Sequence, residues 1–522
     1  MENTAKKYLY LLFIALFFAM FIKAAWVCDD AYINFRSIEQ LHAGNGPIWN
    51  PHERVQVYTS PLWYWTIAFF SYLISDYFLC MLIVSFILFF LLAYFINDFA
   101  DSRKTTLFLI LMAVGTRTFY DFSSSGLEPI LASFITAYTF IQIFKFSKSQ
   151  NNNFEAEKHY KNALIGFAMA TICRHDLITL LGIPVLFMVY KNSSRTVRQR
   201  LADLLLAAVP LIVWTLFATI YYGMPLPNTA YAKLHTGISK LLLCHQGFYY
   251  VIKSLWREPV IAFLFFLPAI INLRKKNAFV SAAILGIIVN VLYVISVGGD
   301  FMVGRFLLSD IIAAVIIFVE MKVVEDLIAK TRTRAIVIYS ILIAYALFFP
   351  FTTLNLPYQF EIRKNDNGIA DERLYYFRES SLHAWYINLD NYLSDEDTKP
   401  FFPHTDFALI GHYLRENKPE VYKHEVIGFL GYWAGTEVKI VDQLALSDPF
   451  LARHPIATPD RFRIGHFFRK ASAEYLNSVK TGKNCLTDPK ERELYDLIRL
   501  ATQEKVLFSK ERFNAIFKLA FM

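Results

Sequence analysis

The chain has 522 residues, of which 55% are hydrophobic, 17% aromatic and 18% charged; soluble domains carry about 25% charged residues. Gly (20), Pro (19) and Cys (5) are too few for a disordered, collagenous or disulfide-held chain. The 52 basic and 44 acidic residues leave a net charge of +8, and the apolar residues run in long blocks without the amphipathic period of soluble cores. A membrane protein is therefore expected.

A bilayer core of about 30 Å needs roughly 20 apolar residues in a helix. About eleven blocks approach that length: 8–27, 77–97, 105–115, 129–146, 162–173, 177–190, 201–222, 259–273, 278–297, 307–324 and 335–351. The first follows Lys6 and Lys7 and is too long and too aromatic for a signal-peptide core, so a retained anchor is expected. Residues 61–75 are apolar too but are assigned to an interfacial or re-entrant helix, because that choice puts the basic residues in alternate connections: Arg103/Lys104, Lys145/Lys148/Lys158/Lys161, Lys191/Arg195/Arg198/Arg200, Arg274/Lys275/Lys276 and Lys330/Arg332/Arg334. Cytoplasmic loops carry such an excess, which predicts a cytoplasmic amino terminus and an outer carboxyl terminus.

The organisation predicted is a membrane unit over residues 1–351, with a first outer loop at 28–76, and a soluble outer domain over 352–522. In the latter, 437–441 alternates as a strand and 471–479 and 491–503 read as helices, so an α/β module is expected. No Cys/His spacing suggests zinc.

This topology sends the odd residues to one face. Asp29-Asp30 opens the first outer loop, followed by Tyr32 and Arg36; paired carboxylates raise one another's pKa, as a general base or a cation site requires. A solvated helix start is the competing reading. Other outer connections hold Arg117, Glu128, Arg174-His175-Asp176, Asn228 with Lys233, and Asp300 with Arg305. Ionisable groups between apolar helices are costly and mark functional sites by default, although each alone also fits a local ion pair. Arg, Lys and His suit a departing phosphate, and a carboxylate suits deprotonation of a hydroxyl. Together they point to glycosyl transfer from a lipid phosphate.

The runs Asp29-Asp30-Ala31-Tyr32-Ile33-Asn34-Phe35-Arg36, Gly44-Asn45-Gly46-Pro47 and Tyr58-Thr59-Ser60-Pro61-Leu62-Trp63 resemble the first outer loop of the mycobacterial terminal arabinofuranosyltransferases, members of the GT-C class of integral-membrane glycosyltransferases. The likeness continues through Ser125-Gly126-Leu127-Glu128, Arg174-His175-Asp176, Tyr221-Tyr222-Gly223, Pro227-Asn228-Thr229, residues 299–306, 441–449 and Arg463-Ile464-Gly465-His466. The chain departs from the family pattern at Gln56-Val57 and at His175.

The resemblance implies a GT-C-like helical membrane fold, a polyprenyl-phosphate sugar donor, an envelope-glycan acceptor and a site outside the bacterial cytoplasmic membrane. It places catalysis on Asp29 or Asp30, with Asp29 the favoured carboxylate. Arg174, His175, Lys233 and Arg305 would bind the donor phosphate; Tyr32, Arg36, Glu128, Asp176, Asn228 and Asp300 would support them. A divalent cation at the Asp pair stays open. The alternatives are a transporter or flippase, whose charges would sit at helix midpoints, and a non-catalytic assembly protein.

Overall fold

The computed structural model describes residues 2–328, 331–355, 367–387 and 402–521; Lys330, assigned above to a basic loop, lies outside them. Helices dominate. In chain order they are α1 (Glu2–Ala24), α2 (Asp29–His42), α3 (Pro61–Phe70), α4 (Tyr77–Ala100), α5 (Arg103–Val114), α6 (Arg117–Ser123), α7 (Pro129–Lys148), α8 (Asn153–Cys173), α9 (Leu177–Lys191) and α10 (Val197–Tyr222). These are followed by α11 (Asn228–Leu234), α12 (Lys240–Arg257), α13 (Pro259–Lys275), α14 (Ala278–Ser296), α15 (Leu308–Glu320), α16 (Val323–Ile328) and α17 (Arg332–Phe348).

Among the described residues α4, α7, α10 and α14 are long and apolar enough to cross a bilayer, and α12 with α13 adds a fifth if that pair, bent by 99°, is one span. Some other blocks fold as shorter helices: α5 has 12 residues and α15 has 13. At a rise of 1.5 Å per residue these are about 18–20 Å long, short of a hydrocarbon core on their own. The 10-residue α3 is shorter still.

Local chemistry fixes the ends. The Asp76 carboxylate accepts the Leu79 N–H at 3.0 Å to start α4. Thr196 and Gln199 form a reciprocal capping box at α10, which ends at Gly223 with φ +78°. At one end of the bundle lie pairs of the basic connections, Lys145–Asp98, Lys148–Glu320 and Lys275–Asp326. The acid-bearing connections gather at the opposite end.

Helix α12 had no counterpart among the sequence blocks. It is amphipathic: Tyr250 and Val251 are buried while Leu241, Phe248 and Trp256 are exposed. Its end is tied down by buried Glu258, which accepts the Thr118 backbone N–H at 3.0 Å and the Thr118 hydroxyl at 2.5 Å.

The carboxyl-terminal part contains α18 (Glu372–Ser380), α19 (Leu382–Ile387), α20 (Asp406–Asn417), β1 (Val421–His424), α21 (Phe429–Ala434), β2 (Lys439–Asp442), α22 (Ala473–Thr481), α23 (Pro489–Gln503) and α24 (Lys510–Ala520). Strands β1 and β2 pair in parallel, Val421 opposite Lys439, across a short β-α-β crossover. They form the only sheet among the described residues. The strand expected at 437–441 is present, but this part is mainly helical.

It packs directly on the preceding helices. One apolar cluster runs from Phe17 in α1 through Phe89 and Ile311 to Phe429, Trp433 and Ile440. Polar ties reinforce it. Asn50 donates to the Ile440 carbonyl at 2.9 Å and accepts its N–H at 3.0 Å, and Arg469 donates to the Ala232 carbonyl at 2.5 Å.

Candidate active site

Asp29 and Asp30 occupy the first turn of α2, where the helix dipole favours negative charge. The two side chains have different surroundings. Asp29 is buried, and its oxygens accept the backbone N–H groups of Gly428 at 3.1 Å and Phe429 at 2.8 Å, so it closes the start of α21. Gly428 is required there, because a Cβ would collide with the Asp29 carbonyl and carboxylate. Burial raises the Asp29 pKa to about 7; the Phe429 N–H opposes that rise and Asp30 adds to it.

Asp30 accepts no hydrogen bond among the described residues, and its side chain keeps 32% of its surface accessible. Its nearest charged partner is Arg305, with Nη1 3.8 Å from the carboxylate. Protein nevertheless surrounds the group: burial raises its pKa, Arg305 opposes that, and Asp300 reinforces it. Asp30 is therefore recessed among protein groups, reachable from solvent but poorly hydrated.

Facing it are three cations around one ring. Arg174, Arg305 and Lys233 lie 4.9, 5.4 and 6.0 Å from the centre of Phe306. Two are locked by carboxylates. Arg305 makes a bidentate pair with buried Asp300 at 2.5 and 2.8 Å, and Arg174 makes one with Asp176 at 3.0 and 2.6 Å, with Glu128 at 3.6 Å. Those carboxylates outweigh burial and push both guanidinium pKa values up.

Lys233 makes no ion pair within 4.0 Å among the described residues. Lys233 is exposed, yet the surrounding protein disfavours its charge and lowers its pKa, Asp300 opposing. Tyr250 steadies the loop below the cluster, its hydroxyl donating to the Met302 carbonyl and accepting the Phe306 N–H, both at 3.1 Å.

The other sequence-derived candidates separate. His175 is half-buried beside Asp176, its pKa lowered by burial. Asn228 is buried and donates to the Ala445 and Leu446 carbonyls at 2.9 and 3.2 Å, tying α11 to the carboxyl-terminal part. Arg36 is buried over Trp49, 4.0 Å from its ring, and donates to the Val438 carbonyl at 2.6 Å. Tyr32 packs edge-on against Phe429 at 4.6 Å. Glu128 reaches the cluster because Gly126, at φ +88°, lets its turn lie against Ala31 and Val27, where a Cβ would clash.

Glu372 was not anticipated. It lies buried beside the Asp pair, with Arg463 at 3.4 Å. Burial raises its pKa to about 8; Arg463 opposes the rise, and Asp30 and Asp29 add to it. Arg463 lies in the carboxyl-terminal run already quoted for its family likeness, but nothing near Glu372 in sequence signals the contact.

Among the described residues no three His, Cys, Asp or Glu side chains gather to hold a metal ion. The Asp29 oxygens are already engaged by backbone N–H groups.

No family model matches the chain, and no solved structure matches it. Two curated proteins do. The chain is 27% identical over 335 residues to the terminal beta-(1->2)-arabinofuranosyltransferase of Corynebacterium glutamicum, covering 55% of this chain and 47% of that protein. It is 24% identical over 325 residues to the enzyme of the same name from Mycobacterium tuberculosis, covering 55% of this chain and 51% of that protein. The chain spans about half the length of the curated relatives it matches. With its apolar helices and its recessed cluster of acids and bases, this is a helical, membrane-type chain similar in sequence to the terminal beta-(1->2)-arabinofuranosyltransferases.

Proposed function

We propose that the protein is a polytopic membrane glycosyltransferase of GT-C type. It moves a sugar, a pentofuranose such as arabinofuranose, from a polyprenyl-phosphate donor to a cell-envelope glycan on the outer face of the bacterial cytoplasmic membrane. The observation that carries this reading is Asp30, a carboxylate that accepts no hydrogen bond among the described residues, beside Arg305 in a trio of cations round Phe306.

In this reading Asp30 takes the proton from the acceptor hydroxyl as its oxygen bonds to the anomeric carbon. The bond from that carbon to the donor phosphate oxygen breaks, and polyprenyl phosphate leaves with the electron pair. Lys233 and the outward N–H groups of Arg305 and Arg174 hold the charge that develops. Asp300 and Asp176 orient the two guanidinium groups, and His175 flanks them.

Asp29 acts as a positioning residue. By holding Gly428 and Phe429 it fixes the first turn of α2 against α21, and so the direction of Asp30. This exchanges the roles that the sequence favoured for the two acids. A retaining course, with Asp30 as nucleophile, would use the same geometry. The six-membered supporting set divides likewise: Glu128, Asp176 and Asp300 organise the recess, while Tyr32, Arg36 and Asn228 fasten the carboxyl-terminal part to it.

Purified protein in proteoliposomes, given a polyprenyl-phosphate arabinofuranose donor and an arabinofuranosyl oligosaccharide, should lengthen the oligosaccharide by one residue, as read by mass spectrometry. Translocation of the donor across the bilayer with no extension would favour transport. An unchanged donor, with the chain still needed in cells for glycan assembly, would favour the non-catalytic reading.

A further inference from the structure

A cavity of about 880 Å³ lies away from the recess, between α2, the start of α4 and α20–α21. From these walls we infer a second binding site, one for a neutral oligosaccharide; its role as the acceptor's holding site rests on the glycosyl-transfer reading above.

Its lining combines Tyr77, Tyr432 and Trp433 with Glu39, Asp76 and Arg415. Arg415 stands 4.0 Å from Glu39 and reaches over Trp433, its guanidinium 5.9 Å from the ring. At the rim Lys418 pairs with Glu437 at 2.7 Å. Acids and bases are thus interleaved. An anionic ligand would call for an excess of bases, and a lipid chain for a wall without charges. A polyol satisfies both halves of this wall: ring faces cover its C–H surfaces, and its hydroxyls donate to carboxylates and accept from a guanidinium. The volume is within the range of roughly 300–1,000 Å³ usual for ligand sites and admits several sugar residues.

Two elements connect the cavity to the reaction centre. Helix α2 carries Asp30 in its first turn and, on the opposite side of the helix, Tyr32, Phe35 and Glu39 in the cavity wall. From Asp30 to Glu39 the helix rises about 14 Å, the length of a few sugar residues. Helix α21 supplies Tyr432 and Trp433, while its first N–H groups hold Asp29. A glycan held in the cavity turns round the first turn of α2 to bring its end to Asp30.

The test measures binding without turnover. Full-length protein in nanodiscs is titrated with a linear arabinofuranosyl hexasaccharide, followed by saturation-transfer NMR and calorimetry. Wild type and Asp30→Asn should bind alike. Arg415→Ala, which removes a donor, and Ser75→Trp, which fills the cavity from an exposed lining position, should each weaken binding at least tenfold with thermal midpoints maintained. If Arg415→Ala lowers the midpoint, Ser75→Trp alone decides. Absence of binding to wild type at millimolar hexasaccharide, or equal binding by Ser75→Trp, overturns the inference. Donor turnover by wild type is scored separately: binding without turnover keeps this site and removes the transferase reading, whereas turnover with no binding here removes only this site.

Discussion

Replacing each acid of the Asp29–Asp30 pair by Asn separates fixing the fold from performing chemistry. Asp29 accepts two backbone N–H groups, at 3.1 and 2.8 Å, in a buried setting. An amide there keeps one acceptor and turns a donor toward the other N–H. A charge-assisted hydrogen bond contributes about 1.5–3 kcal/mol, and a buried N–H left facing a donor adds its own desolvation, so Asp29→Asn should destabilise by roughly 2–4 kcal/mol. Asp30 accepts no such bond among the described residues, and its nearest cation is 3.8 Å away; Asp30→Asn should leave the thermal midpoint unchanged.

For transfer the order reverses. Losing a general base costs about 10²–10⁴ in rate, equivalent to about 3–5 kcal/mol, and Asp30→Asn should show that fall in kcat. Asp29→Asn should lose less, and recover part of it on cooling as α21 reseats. The assay pairs thermal unfolding followed by tryptophan fluorescence with initial rates of oligosaccharide extension in proteoliposomes. Retention of more than a tenth of wild-type kcat by Asp30→Asn refutes its assignment as base. A stable but inactive Asp29→Asn moves that role to Asp29.

Arg305→Lys removes the bidentate pair with Asp300; because an ammonium cannot reproduce the planar fork, donor KM should rise about tenfold or more while acceptor KM holds, checked by varying each substrate. Glu372 binds its proton more tightly folded, with a pKa of about 8, than at its ordinary 4.5. Stability should therefore fall as pH rises from 4.5 to about 8. Glu372→Gln should flatten that decline and raise the thermal midpoint at pH 8; an unchanged slope would contradict the burial argument. Asn228→Ala loses two hydrogen bonds to backbone carbonyls and should cost about 1–3 kcal/mol with kcat preserved, as measured by denaturation and initial rates. A raised pKa at Asp30 places the acid limb of the kcat/KM profile above the usual carboxylate range, with activity increasing with pH through it; a limb near 3.8 would count against Asp30.

Composition and block length by themselves determined the class. Runs such as 77–97 and 278–297 become helices because a chain that apolar satisfies its backbone only by internal hydrogen bonding in a bilayer. Charge contrast between successive connections separated a basic end from an end rich in acids and bases, and the Arg174-His175-Asp176 and 299–306 runs marked two of the loops that meet at Phe306. Helix α12 escaped because its apolar face is interrupted by polar residues and forms no block.

Tertiary structure alone decided which carboxylate of the pair is occupied. Asp29 and Asp30 are neighbours of identical chemistry, and their difference comes from N–H groups 399 and 400 residues away; a backbone donor has no residue type by which a sequence can announce it. The same holds for Glu372 beside the Asp pair and for the cavity walled by α2 and α21. Hydrophobic periodicity specifies that a helix has a buried face, and packing specifies which distant segment that face meets.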